Sequence, residues 1–149
     1  DQPTSFVVVK EDRAGADLFE PIVGRGSAFA DIDLDGDLDV VMTQIGGPPM
    51  LLRNDQALGH RWIRLRLEGR ACNRDAIGAR IVLRRGGETL TRHVMPTRSY
   101  LSQSEMPVTI GLGPDEGPGS VTVHWPGGGP QTVDLPAGRL SVVVQAPLP

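Results

Sequence analysis

The 149-residue chain has one cysteine, Cys72. A lone thiol closes no internal disulfide, so cysteine usage leaves the redox compartment open. Long apolar runs are missing, and nothing approaches the about 20 residues that a membrane-crossing helix requires. No stretch has the make-up of a signal peptide. The chain runs almost at once from Asp1 into the apolar Phe6-Val7-Val8-Val9, so we expect a piece of a longer protein with any targeting segment upstream. Histidine is scarce and scattered at His60, His93 and His124; the latter two fall on alternating stretches, where a histidine serves as a sheet-face residue. No HExxH pair, nucleophile elbow, Cys/His pair or P-loop spacing occurs. No catalysis is expected, since a hydrolase would need a pocket with converging ionisable groups. Aromatic residues make up 4% of the chain and do not interleave with the arginines. The basic residues therefore read as solvated sheet faces, and nucleic-acid binding is not expected.

Glycine (19) and proline (13) are plentiful, and the 39% apolar content comes in short runs, as in an all-β protein rich in turns. Charge is unevenly spread. Residues 1–55 carry eleven acids and four bases, net −7, whereas residues 56–149 carry seven acids and eleven bases, net +4. The change of sign places a boundary near residues 54–59 and predicts two modules, 1–56 and 57–149.

The acidity concentrates in Asp31-Ile32-Asp33-Leu34-Asp35-Gly36-Asp37-Leu38-Asp39, an aspartate at every second position with a glycine at the sixth. Two unit charges about 4 Å apart repel by about 4 kcal/mol at a near-surface effective dielectric. Such a loop calls for a cation. Carboxylates of Asp31, Asp33 and Asp35 can converge, Gly36 permits the sharp turn, the Asp37 carbonyl follows and the Asp39 carboxylate closes the site. Calcium (Ca2+) suits it better than magnesium, accepting six to eight oxygen ligands in flexible geometry. An EF-hand is excluded: its twelfth loop position, here Met42, should be a bidentate glutamate, and flanking helices are required. Ser27-Ala28-Phe29-Ala30 before the loop and Val40-Val41-Met42-Thr43 after it read instead as strands.

Further strands are predicted at 6–10, before a polar loop at 11–20, and at 50–53 after the Gly46-Gly47-Pro48-Pro49 turn. One blade-like sheet of this size cannot bury both its faces, so it must lean on the rest of the chain or on another copy of it. From Arg61 the alternation is strict, with Ile63, Leu65 and Leu67 on one face and Trp62, Arg64, Arg66 and Glu68 on the other. Strands follow at 77–85, 89–95, 108–112, 121–125, 131–135 and 140–145, with Gly86-Gly87 as a hairpin connection; together they read as an antiparallel β-sandwich or barrel-like domain. Ser99, Tyr100, Ser102, Gln103 and Ser104 form a polar run with two readings. Its hydroxyls satisfy nearby backbone groups, or Tyr100 and Gln103 contact a ligand such as a glycan. Asn73-Arg74-Asp75 reads as a turn, with Asp75 capping amides and Arg74 paired to a carboxylate.

The metal loop is similar to the D-x-D-x-D-G-x-x-D loop of FG-GAP/VCBS propeller repeats. Leu51-Leu52-Arg53-Asn54-Asp55, the Asn73–Arg80 segment (NRDAIGAR), Ser99-Tyr100-Leu101-Ser102-Gln103-Ser104 and Val123-His124-Trp125-Pro126, in this order, resemble the ASPIC/UnbV domain. The resemblance spans about residues 24–146. It implies one propeller-like blade followed by an ASPIC/UnbV β domain, bound calcium, and an extracellular or cell-surface location, and it implies no reaction. We therefore expect a calcium-binding extracellular module for adhesion or protein interaction. One alternative is a carbohydrate-binding module using the Ser99–Ser104 loop and an exposed Trp62 or Trp125; a hydrolase ranks last. Partners would be a protein or glycan, or a second copy through an exposed blade face.

Overall fold

The computed structural model describes residues 7–56, 58–85, 87–114 and 119–147. With 47% strand and 6% helix, the chain is all-β as expected. After a one-turn helix α1 (Glu11–Ala14) and a 3-10 turn (Ala16–Phe19) come β1 (Gly24–Ala30), β2 (Asp39–Gln44), β3 (Met50–Leu52) and β4 (Arg61–Glu68). They are followed by β5 (Arg80–Arg85), β6 (Glu88–His93), β7 (Thr97–Ser99), β8 (Ser102–Gln103) and β9 (Val108–Gly113). The chain continues through β10 (Gly119–His124), β11 (Pro130–Leu135) and β12 (Leu140–Val144).

Four sheets result: β1-β2-β3, β11-β10-β5-β6, β12-β4-β9 and the hairpin β7-β8. All pairings are antiparallel except β12 with β4, which run parallel. The sheets stay open, and no closed barrel forms among the described residues. The inward rows of the second and third sheets make one core: Ile63, Leu65 and Leu67 of β4, Ile81 and Leu83 of β5, Ile110 of β9, and Val121 and Val123 of β10. Each of these is buried, and full burial of such a side chain contributes about 1.5–3 kcal/mol. This is the sandwich that the period-2 pattern foretells.

Four local expectations need correction. No strand forms over 7–10, and Phe6 lies outside the described residues. Val7, Val8 and Val9 are all exposed and have no partner strand among the described residues, so β-branched content alone does not make them a strand. The loop expected at 11–20 contains α1 and the 3-10 turn. The strand predicted at 77–85 begins only at Arg80, because the chain first makes a turn fixed by Asn73. The Asn73 side chain both accepts from the Ile77 N–H (2.8 Å) and donates to the Ile77 carbonyl (3.0 Å). Asn73 thus takes the capping role expected of Asp75. The Gly86 part of the expected Gly86-Gly87 connection lies outside the described residues.

Sheet β1-β2-β3 does not stand apart. The free edge of β1 is closed by the β7-β8 hairpin and the residues after it. Ser27 N–H donates to Ser99 Oγ (3.4 Å), Phe29 N–H to Ser104 Oγ (3.1 Å), and Glu105 N–H to the Phe29 carbonyl (3.0 Å). The approach is close enough that a Cβ at Gly26 would overlap Ser102 Oγ. An otherwise open strand edge is thus covered by side-chain acceptors.

Candidate metal centre

The acidic loop joins β1 to β2, so the pairing of those strands sets its ends. Ala30 lies opposite Asp39 in the register. The strand ends therefore bring Asp31 and Asp39 side by side, and Asp33 folds back toward them. One carboxylate oxygen from each of Asp31, Asp33 and Asp39 lies within 4.8 Å of the others. Asp31 and Asp39 are buried and Asp33 is exposed.

Hydrogen bonds hold the loop. Asp39 accepts from Ile32 N–H through Oδ2 (2.9 Å) and from Asn54 N–H through Oδ1 (2.8 Å), which ties the loop to the chain beyond β3. Asp31 Oδ2 accepts from Gly36 N–H (3.2 Å). Gly36 has φ +99°, and a Cβ there would overlap the Trp62 indole, so the position requires glycine for conformation and for space. Leu34 also has a positive φ, +65°, in the middle of the loop, a conformation sparsely used outside glycine.

Five aspartates are expected, and the structure divides them. Asp31, Asp33 and Asp39 converge. The Asp35 carboxylate instead accepts from Asp37 N–H (2.8 Å), and Asp37, half-buried, is not among the three that converge. Partial burial raises the Asp37 pKa, and the charges of Asp35, Asp31, Asp39 and Asp33 add to the rise.

No local pattern warns of the cation behind this loop. Arg64, placed by alternation on the outward face of β4, is buried at 4% exposure. Its Nη1 pairs with Asp31 and its Nη2 with Glu105, which precedes β9. Burial raises the Glu105 pKa even though Arg64 opposes the shift. Both Glu105 Oε1 and, in the loop itself, Asp31 Oδ1 are buried without a hydrogen-bond partner among the described residues. A buried, unpaired carboxylate oxygen costs free energy. Beside two further carboxylates, it is the donor set a hard divalent cation takes, and these residues fit calcium.

The polar run over residues 99–104 divides differently. Ser99 and Ser104 accept from the β1 backbone, and Ser102 Oγ donates to the Tyr100 carbonyl (2.9 Å). Tyr100, exposed at 70%, and Leu101, at φ +48°, form the hairpin tip, and Gln103 is also exposed. Neither tryptophan lies open beside this loop. Trp62 is half-buried against Gly36, and Trp125 is in the core with its Nε1 donating to Gln131.

The chain resembles cartilage acidic protein 1 of Homo sapiens, with 30% identity over 127 residues, 82% of this chain and 19% of that protein. The Xenopus tropicalis protein of the same name is 30% identical over 131 residues, 85% of this chain and 20% of that one. The chain thus spans about a fifth of these relatives. A contiguous match that leaves out only 18% of 149 residues, about 27, must include Asp31 to Asp39 wherever it starts. The sequence profile of the ASPIC and UnbV family matches residues 69–147, more than half of the chain and the greater part of the sandwich, and the chain therefore belongs to the ASPIC and UnbV family.

Proposed function

We propose that residues 31–39 hold one calcium ion and that the chain is a calcium-stabilised extracellular β module serving in adhesion or protein interaction. The observation that carries this reading is the unpartnered, buried Asp31 Oδ1 beside the Asp33 and Asp39 carboxylates. Asp31, Asp33 and Asp39 would hold the ion, with the Asp35 carboxylate and the Asp37 carbonyl as further oxygen donors. When bound, calcium neutralises carboxylates whose mutual repulsion otherwise opposes the turn. The chain's own residues do the rest: Arg64 holds Asp31 from the sandwich side, Gly36 admits Trp62, and Asp39 anchors both flanking segments.

The three-stranded sheet with its acidic loop between the first two strands supports reading residues 1–56 as an FG-GAP/VCBS-type propeller blade. The likeness to proteins named for cartilage supports an extracellular setting. We read the role as binding rather than catalysis, because among the described residues the convergence of carboxylates belongs to the loop. Ile32, Leu34 and Val41 remain exposed and supply an apolar surface for a partner protein or a second copy. A glycan-binding role would now rest on Tyr100 without a tryptophan platform.

Isothermal titration of chelator-treated protein with calcium and with magnesium tests the ion. Calcium should bind with Kd of about 10⁻⁴–10⁻³ M, the range of extracellular modules, and magnesium more weakly. Absence of calcium heat at millimolar concentration would refute it. Hydrogen exchange with chelator should loosen residues 27–53 before residues 60–146.

A further inference from the structure

We propose that the cleft between β1 and the sandwich is a binding site for a small apolar carboxylate, a ring or branched chain bearing one anionic group. The proposal is independent of the calcium reading. The cleft encloses about 320 Å³. That is at the lower end of small-molecule sites, which run from about 300 to 1,000 Å³, so it suits a single ring with a short chain rather than a folded peptide segment.

Its walls come from both units. Phe29 of β1 and Leu38 of the acidic loop face Met95 and Met106, which follow β6 and precede β9. Methionine side chains adapt to the shape of an apolar guest. The rim carries two guanidiniums, Arg92 near the end of β6 and Arg98 in β7, with His93 beside Arg92.

Charge selects the guest. The chain as a whole carries −3, yet among the described residues no carboxylate pairs with Arg92 or Arg98 of this cleft. Arg98 makes no hydrogen bond or ion pair among the described residues. Arg92 donates only from Nη1 to its neighbour's carbonyl, Thr91 O (3.0 Å). Glu105, the acid lining the cleft, is paired with Arg64 and does not cancel the rim. Two guanidiniums with free donors beside an apolar cavity match a carboxylate, which accepts a bidentate pair of hydrogen bonds, attached to an apolar body.

The four methionines give the assay its own controls. Met95 and Met106 line the cleft, while Met42 and Met50 lie on β2 and β3, outside it. Protein labelled with ¹³C at the methionine methyls, in calcium-containing buffer, is titrated with 3-phenylpropionate, with the neutral 3-phenylpropan-1-ol and with acetate. The phenylpropionate should give saturable shifts of Met95 and Met106 and leave Met42 and Met50 in place. The alcohol and acetate should each bind at least about tenfold more weakly, since one loses a charged hydrogen bond and the other the apolar contact. Arg98→Gln, at an exposed position, should weaken phenylpropionate at least about tenfold without moving the thermal midpoint. No saturable shift of Met95 or Met106 in the millimolar range overturns the site. Equal binding of the alcohol, or indifference to Arg98→Gln, overturns the carboxylate specificity.

Discussion

Replacing Arg64 by methionine keeps the length and apolar stem of the side chain and removes the charge that holds Asp31 and Glu105. Arg64 and the Asp31 side chain are 4% and 0% exposed, and Glu105 is 16% exposed, so water cannot take over the lost interaction. Taking one partner from a buried ion pair costs about 3–5 kcal/mol, because an uncompensated charge stays behind. An exposed pair such as Arg53–Asp55, with both side chains more than half exposed, is worth at most about 1 kcal/mol. In chelator, Arg64→Met should therefore lower the urea unfolding free energy by about 3–5 kcal/mol. Calcium should return part of this loss. Binding to the native state alone adds about 2.7 kcal/mol at a hundredfold excess over Kd, and the ion takes over neutralisation of Asp31. Adding Glu105→Gln to the variant should also recover stability, since it removes the second stranded charge. Urea titration followed by tryptophan fluorescence suits the question, because Trp62 lies against the loop at Gly36 and Trp125 lies in the core. A loss below about 1 kcal/mol in chelator would show that the pair behaves as a solvated one and would refute the argument.

Gly36→Ala forces a Cβ into the Trp62 ring at a φ that alanine adopts only under strain, and each effect costs about 1–3 kcal/mol. Circular dichroism melts should register the loss, with a shift in Trp62 emission. Ser104→Ala leaves the Phe29 N–H without its acceptor, a cost of about 1–3 kcal/mol, and amide exchange at Phe29 should speed up while that of Val123 holds. The Glu105 pKa is raised in the folded state, so the folded protein binds more protons than the unfolded one above the ordinary value of 4.5. The contribution of Glu105 to stability therefore falls as pH rises through the folded pKa and is fully restored below 4.5. In chelator, Glu105→Gln should gain stability relative to the parent as pH is raised through that window; urea titrations at stepped pH would check the sign.

The sandwich was legible because its signal is local. Ile63, Leu65 and Leu67 alternate with polar residues, and alternation turns all three apolar side chains to one face, so the pattern names the core before any contact is known. The acidic loop was legible for a similar reason: five carboxylates in nine residues and one glycine are a chemical statement that needs no fold. The misread parts depended on partners. Val7, Val8 and Val9 have the composition of a strand and, among the described residues, no strand to pair with. Arg64 follows the outward phase of β4, and only the docking of the loop on that face turns an outward arginine into a buried one. The run over residues 99–104 gave two readings until β1 supplied the N–H groups that Ser99 and Ser104 accept.

The amino-acid sequence alone determined the all-β class, the inward row of β4 and the acidic turn at Gly36. These follow from side-chain periodicity and charge spacing within a few residues. The tertiary structure alone decided which aspartates converge, which cation answers them and how the open edge of β1 is closed. Asp31 meets Arg64 across 33 residues of chain and Phe29 meets Ser104 across 75. Contacts at such separations are set by how whole sheets dock, and no local pattern encodes them.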